Sequence, residues 1–154
     1  MKDVVRFKGS DYTFMYTKWL LLMIWSLFVF ILYCTSSFTL FISDGVIRFS
    51  FVVPDYSEFL EPYALSRQEP FLTIQKIGHF VSFFVLTGLL YTCLKKWRIT
   101  LIICFSLSIA LELIQPFFNR DGRILDIFVN QLGIISFVML FMIINSRGNR
   151  MAKE

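Results

Sequence analysis

Four long apolar runs dominate this chain of 154 residues and restrict the folds open to it. They cover residues 19–42, 77–94, 99–114 and 124–144. About 20 apolar residues cross the hydrocarbon layer of a bilayer as a helix, and a backbone in lipid must satisfy its own hydrogen bonds. The chain is 56% hydrophobic, which leaves too little polar surface for a soluble domain of this size. We predict a single all-α domain over residues 1–154 that is a polytopic membrane protein with four transmembrane helices.

The first run has a cleaved signal peptide as its competing interpretation. It is longer than a signal hydrophobic region, and no A-x-A-like cleavage site follows it. A lipoprotein cleavage site at Cys34 is disfavoured by the bulky Tyr33 before it. We therefore expect the first helix to be retained.

Lysines and arginines are distributed unevenly around the four runs. Ten of the fifteen lie before the first run, between the second and third, or after the fourth. The positive-inside rule therefore predicts cytoplasmic termini and an external segment at residues 43–75. That segment is acidic and rich in aromatics, so we expect it to lie on the bilayer surface or to cap the helices. The basic patches with interleaved aromatics that bind nucleic acid are absent, so the lipid bilayer is the predicted partner.

Polar residues embedded in the apolar runs gather at the predicted external ends. His79 lies near the start of the second run, Glu112 and Gln115 lie at the end of the third, and Asp126 and Asn130 begin the fourth. The residues of each pair are three or four positions apart and so share one helix face. Because hydrocarbon penalises such groups, their clustering predicts a functional site.

Two arginines and one glycine complete this pattern. Arg120 and Arg123 lie in the turn between the third and fourth runs. They are predicted to neutralise Glu112 or Asp126, or to bind an anionic ligand; pairing with lipid phosphates is the alternative. Gly133, one further turn along the face of the fourth helix, is predicted to let another helix approach closely.

Each embedded polar group also has a structural explanation. His79 is compatible with an interfacial residue whose tip reaches water. Asp126 suits the positive end of a helix dipole, and Glu112 and Asn130 suit a buried polar contact that specifies helix packing. The sequence leaves these alternatives open.

Several chemistries lack the residues that they require. The sequence contains no G-x-S-x-G, P-loop or G-x-G-x-x-G motif. Its one histidine and the embedded carboxylates do not have the spacing of a metal site, and the three cysteines are scattered in separate runs. The predicted cytoplasmic halves of the helices are almost wholly apolar, unlike a channel. We predict no metal and no cofactor.

The order and spacing of the polar residues resemble the VanZ-like family of bacterial membrane proteins. The matching motifs are Lys76-x-x-His79, Glu112-x-x-Gln115, Arg120 and Asp126-x-x-x-Asn130-x-x-Gly133. The resemblance implies a multi-pass plasma-membrane protein with a role in the cell envelope. It also implies an association with antibiotic resistance, since the name-giving member is linked to low-level resistance to the glycopeptide teicoplanin.

Two positions depart from the family pattern. Gln75 stands where the family often has an acidic residue, and Phe137 stands where a second small residue usually follows Gly133. The second departure predicts looser packing of the fourth helix.

The leading hypothesis is an outward-facing pocket that binds or shields an anionic envelope molecule, such as a lipid-linked precursor or a lipoglycopeptide. The predicted ligand-binding residues are His79, Glu112, Gln115, Arg120, Arg123, Asp126 and Asn130. A second hypothesis is an enzyme for a lipid-linked substrate with Glu112 or His79 as general base. A third is an accessory subunit in which the cluster only specifies helix packing.

Overall fold

A computed structural model describes residues 9–60 and 70–151, which are helical over most of their length and contain no β-strand. The helices are α1 Gly9–Cys34, α2 Phe38–Asp44, α3 Pro70–Leu94, α4 Trp97–Ile114, a 3-10 helix Gln115–Phe118, and α5 Ile124–Met151. Four segments are long and apolar enough to cross a membrane: Thr13–Cys34, Leu72–Leu94, Trp97–Phe118 and Ile124–Arg147. The predicted all-α architecture with four membrane-spanning helices is confirmed.

The first helix does not have its predicted bounds of 19–42. It ends at Cys34, and a separate short helix follows after a break at Thr35–Ser37. Hydroxyl side chains compete with helical hydrogen bonds for backbone groups. Ser37 Oγ accepts a hydrogen bond from Leu40 N at 3.3 Å and so caps the second helix. A hydropathy pattern cannot register this break because hydroxyl residues are tolerated in an apolar run.

The other helices extend beyond the apolar runs. Their predicted bounds were 77–94, 99–114 and 124–144. In the structure α3 begins at Pro70, α4 begins at Trp97 and α5 continues to Met151. An apolar run marks the residues suited to hydrocarbon, whereas a helix continues into the polar flanks until a cap or a proline ends it. Residues 61–69 of the predicted external segment lie outside the described residues.

Residues 46–60 of that segment cross the end of the helix bundle. We call residues 46–60 the cap segment. Val52 N donates a hydrogen bond to Phe117 O at 3.0 Å, and Ile124 N donates to Phe59 O at 3.0 Å. The cap segment is thereby attached to the residues that follow α4 and to the start of α5. These contacts correspond to the predicted placement in which the segment caps the helices.

Helix α3 lies at the centre and packs against α1, α4 and α5. Val29, Phe83 and Ile134 are fully or almost fully buried between the helices, whereas Ile102 and Met142 point outward. Outward-facing apolar side chains suit lipid, where exposure of hydrocarbon has no cost. The bundle therefore has a small core and largely apolar outer faces on its helices.

Close backbone approach explains the extensive contact of α3 with α5. A Cβ built on Gly133 of α5 would overlap the carbonyl oxygen of Phe80 in α3. One on Gly88 of α3 would lie 2.7 Å from Cε2 of Phe137. The ring of Phe137 therefore occupies the space that a side chain at position 88 would need. The expected looser packing at Phe137 is wrong, because Gly88 on the facing helix accommodates the larger residue.

We expect Gly133→Ala to destabilise the protein by about 1–3 kcal/mol, because the added methyl group meets backbone rather than a movable side chain. Gly78→Ala is the matched control, since a Cβ there has no atom within 4 Å and alanine favours the helix by up to about 1 kcal/mol. Thermal unfolding in detergent, followed by circular dichroism, measures both. Equal unfolding midpoints for the two variants would contradict the close approach of α3 and α5.

Candidate functional site

Four helix ends converge at one edge of the bundle and bring the embedded polar residues together. These ends are the last turn of α1, the first half of α3, the last turn of α4 and the start of α5. The predicted site residues His79, Glu112, Gln115, Asp126 and Asn130 are all buried there, with at most 4% of their surface exposed. The antiparallel connection of the helices produces this convergence, and the helical spacing directs the polar faces inward.

Glu112 is the centre of the buried network. Its Oε1 accepts a hydrogen bond from Asn130 Nδ2 at 3.3 Å and lies 3.3 Å from His79 Nδ1. Its Oε2 accepts from the backbone N–H of Arg123 at 3.3 Å. The carboxylate is fully buried, so these donors replace the water that a charged group loses on burial.

The loop that donates to Glu112 depends on a glycine. A Cβ on Gly122 would overlap the carbonyl oxygen of Glu112. Asn119, which ends the 3-10 helix, has a left-handed φ of 57°, a conformation that asparagine tolerates better than most residues. These two residues fold the loop tightly onto the end of α4. The backbone of Arg123 can therefore reach the Glu112 carboxylate.

Tyr33 belongs to this network although sequence reasoning did not select it. Its hydroxyl donates a hydrogen bond of 2.6 Å to Asn130 Oδ1, which also lies 3.2 Å from His79 Nδ1. The rings of Tyr33 and His79 meet edge to face with centroids 4.6 Å apart. Its position near the end of the first apolar run was the available signal, but aromatic residues are common there and a partner could not be assigned.

Lys76 provides the cation for Asp126. Its Nζ lies 2.7 Å from Asp126 Oδ1, and the aspartate side chain is only 1% exposed. Of the predicted roles of Arg120 and Arg123, ion pairing with Glu112 or Asp126 is not observed, since neither guanidinium forms an ion pair with either acid; binding of an anionic ligand stays a prediction. Lys76 is 22% exposed, so its stem follows the bundle while its head reaches a buried acid.

Arg123 lies beside the network and not inside it. Its guanidinium contacts Glu58 Oε2 at 2.8 Å and Asp121 Oδ2 at 3.2 Å. Both acids are more than half exposed on their side chains. The residue thus serves Glu112 through its backbone and attaches the cap segment through its side chain.

Among the described residues, Arg120 forms no ion pair and has a backbone carbonyl as its hydrogen-bond partner. Its Nη1 donates a hydrogen bond of 2.6 Å to the carbonyl oxygen of Leu32, and its guanidinium lies 5.9 Å from the ring centre of Phe38. No carboxylate of the described residues forms an ion pair with it. Burial lowers the pKa of Arg120, while the charges of Glu112 and Asp126 act in the opposite direction. Arginine remains protonated in such surroundings.

Two cavities meet at Arg120. The inner cavity, of about 20 Å³, is lined by residues that include Tyr33, His79 and Arg120, and it is large enough for one water molecule. The outer pocket, of about 240 Å³, is lined by residues that include Ser36 and Arg123 as well as Arg120. Arg120 therefore borders both cavities, as do Phe38 and Gln75.

At this end of the bundle, two buried side chains among the described residues have polar atoms without a hydrogen-bond partner. Both amide atoms of Gln115 are unpaired, and so is Oδ2 of Asp126. The structure thus brings Gln115 to the same end without joining it to Glu112. In the described ranges, no group of three or more His, Cys, Asp or Glu side chains could hold a metal ion.

Fold and site together define a multi-pass helical membrane protein with a buried polar network at one end. A family model for VanZ/LLP1 matches residues 14–145. A Bacillus subtilis (strain 168) protein described as "Uncharacterized membrane protein YwnJ" is 35% identical over 136 residues, which are 88% of this chain and 97% of that relative. No solved structure matches the chain. The chain belongs to the VanZ-like family of membrane proteins.

We expect the Lys76–Asp126 pair to show strong energetic coupling. Lys76→Met or Asp126→Asn alone leaves one member of a largely buried pair without its partner, at a cost of roughly 2–3 kcal/mol after allowance for the partial exposure of Lys76. The double variant is expected to cost less than the two singles together. Unfolding in detergent measures all three variants.

The exposed Arg123–Glu58 pair provides the control cycle. Arg123→Gln and Glu58→Gln leave the Arg123 backbone intact, and their coupling energy is expected to stay below about 1 kcal/mol. If the losses in unfolding free energy of Lys76→Met and Asp126→Asn add up to that of the double variant, the contact between the two side chains does not stabilise the protein.

Proposed function

We propose that the polar end binds the anionic headgroup of a lipid-linked envelope molecule, and that Arg120 holds the anion. The observation that carries this proposal is that Arg120 lines the open outer pocket and forms no ion pair with a carboxylate of the described residues. Only a carbonyl oxygen accepts a hydrogen bond from it among the described residues. An arginine with free donors facing an open pocket is suited to bidentate contact with a phosphate or carboxylate.

Charge and lining of the outer pocket support the same ligand class. Arg123 and Asp121 both line the pocket and pair with each other, and Arg123 also pairs with Glu58. Arg120 is therefore the lining cation that has no carboxylate ion-pair partner among the described residues. The hydroxyl-bearing residues Ser36 and Thr39 also line the pocket, and hydroxyls are common donors to anion oxygens.

A lipid-linked ligand fits the location better than a free anion. The pocket lies where membrane-spanning helices end, and Phe38 and Leu72 line part of it. A headgroup held by Arg120 would have its apolar chain beside the lipid-facing helices. With the orientation predicted by the positive-inside rule, this end faces the exterior, where envelope precursors and lipoglycopeptides occur.

Arg120→Gln is expected to weaken binding of a polyprenyl monophosphate by about 10- to 100-fold, because a hydrogen bond to a charged group contributes about 1.5–3 kcal/mol. Arg120→Lys should retain part of the affinity, since the charge remains and the bidentate geometry does not. Native mass spectrometry of the protein in mixed micelles measures the bound fraction as the lipid is titrated.

Arg48→Gln is the matched control, because Arg48 is exposed at the same end and does not line the pocket. The uncharged polyprenol is the ligand control. Equal binding of polyprenol and its phosphate, or equal losses in Arg48→Gln and Arg120→Gln, would refute anion recognition by Arg120. Membrane abundance is measured in parallel, because a purely structural network would lower abundance together with binding.

A second candidate function is acid–base catalysis on such a lipid, and the Glu112–His79 contact favours it. With Nδ1 of His79 directed at Glu112 Oε1, Nε2 has no hydrogen-bond partner among the described residues. His79 and Arg120 both line the inner cavity. A water molecule there would lose its proton to Nε2 as its oxygen bonds to the terminal phosphorus of a polyprenyl diphosphate. The bridging P–O bond breaks, inorganic phosphate and the polyprenyl monophosphate are the products, and Arg120 would stabilise the negative charge that develops on the phosphate oxygens.

We expect His79→Gln to lower turnover of a labelled polyprenyl diphosphate by about 10²- to 10⁴-fold while binding of the monophosphate through Arg120 persists. Chromatography of the labelled lipid after incubation with purified protein detects release of phosphate. If the unmodified protein forms no more product than His79→Gln, catalysis on this substrate is rejected and the binding function is unaffected.

A further inference from the structure

The opposite end of the bundle contains a third cavity with a different lining. It has a volume of about 270 Å³ and lies between the first turns of the membrane-spanning part of α1 and the end of α3. Phe14, Met15 and Trp19 provide apolar surface, and Lys18 and Lys95 provide charge. This volume approaches the lower end of the range of about 300–1,000 Å³ for small-molecule pockets. None of its lining belongs to the site around Glu112.

The two lysines of this cavity have no acidic partner among the described residues. The Nζ of Lys18 lies 3.9 Å from the ring centre of Phe14, and the Nζ of Lys95 lies 5.4 Å from that of Tyr91. No ion pair of the described residues includes either of them. Within the described ranges, two ammonium groups without an acidic partner therefore border one cavity.

The surroundings place this cavity at the depth of lipid headgroups. Trp97 stacks on Tyr91 with ring centres 3.9 Å apart, and Trp19 is 42% exposed. Tryptophan and tyrosine concentrate where hydrocarbon meets water. A ligand in this cavity would have its polar part at the interface and its apolar part beside the exposed side chains of α1.

We propose that this cavity binds an anionic glycerophospholipid of the surrounding bilayer. Its phosphate lies between the ammonium groups of Lys18 and Lys95, and one acyl chain runs along Phe14, Met15 and Trp19. Charge complementarity selects an anionic lipid over a zwitterionic one, whose own cation would oppose the lysines. The inference is independent of the proposed function of the Arg120 pocket.

The test compares retention of phosphatidylglycerol and phosphatidylcholine by the full chain in native mass spectrometry. Lys18→Gln/Lys95→Asn is expected to lower phosphatidylglycerol affinity by about 20-fold, because each lysine contributes about a four- to five-fold gain in affinity for an anionic lipid. Asparagine is chosen at position 95 because Lys95 has a left-handed φ of 55°, which asparagine tolerates. Phosphatidylcholine retention should be unchanged.

Lys96→Gln/Arg98→Gln is the matched control, since it removes two exposed charges from the same end outside the cavity. Equal losses in both double variants would mean general electrostatic attraction and overturn the site. Displacement of the lipid by equimolar inorganic phosphate would also overturn it, in favour of a small-anion site. A phosphatidylglycerol loss confined to Lys18→Gln/Lys95→Asn supports it.

Trp19 provides a measurement that leaves both lysines in place. Lipids with brominated chains quench tryptophan fluorescence on contact. Comparison with Trp19→Phe gives the part of the fluorescence that comes from Trp19 and not from Trp25 or Trp97. Brominated phosphatidylglycerol is expected to quench the fluorescence of Trp19 more strongly than brominated phosphatidylcholine at the same mole fraction. Equal quenching by the two lipids would overturn the proposal even if the lysine variants failed to fold.

Discussion

Burial of the Glu112 carboxylate is the constraint on which this end of the molecule depends. A charge out of contact with water must be matched by donors on both of its oxygens. They come from α3, from α5 and from the backbone at Arg123. Satisfying one side chain therefore requires three elements to arrive together. The tight loop at Gly122 brings the backbone of Arg123 to Glu112. The side chain of Arg123 then attaches the cap segment through Glu58.

Close helix packing makes this arrangement possible in a bundle with so little interior. Lipid offers no hydrophobic drive for helices to associate, so shape complementarity has to hold them together. Gly133 lets α5 approach the backbone of α3, and one turn further Phe137 fills the space above Gly88. The same contact brings Asn130 and Asp126 within reach of His79 and Lys76, since these pairs lie on the same two helices.

Carboxylates and arginines have separate roles at the polar end. The acids are matched inside the bundle by Lys76, His79 and an amide, while Arg120 lies next to an open pocket with a single carbonyl partner. An arginine paired with Asp126 would have been unavailable to an anion. The proposed binding function follows from this separation, which makes the buried network a support for the pocket. Among the described residues of the opposite end, Lys18 and Lys95 have no acidic partner and line a cavity formed mainly by α1.

Sequence and tertiary structure each determine a distinct part of this protein's architecture. Hydropathy and helical period were enough for the four spanning helices, for the faces of Glu112, Asp126 and Asn130, and for the close approach at Gly133. They could not locate the break after Cys34, because capping depends on backbone geometry. Nor could they give Tyr33 its partner, which is 97 residues away, or choose Lys76 over the arginines for Asp126. Periodicity determines which way a side chain faces on its own helix. Which groups meet depends on how helices rotate and slide against one another, and only their packing determines that.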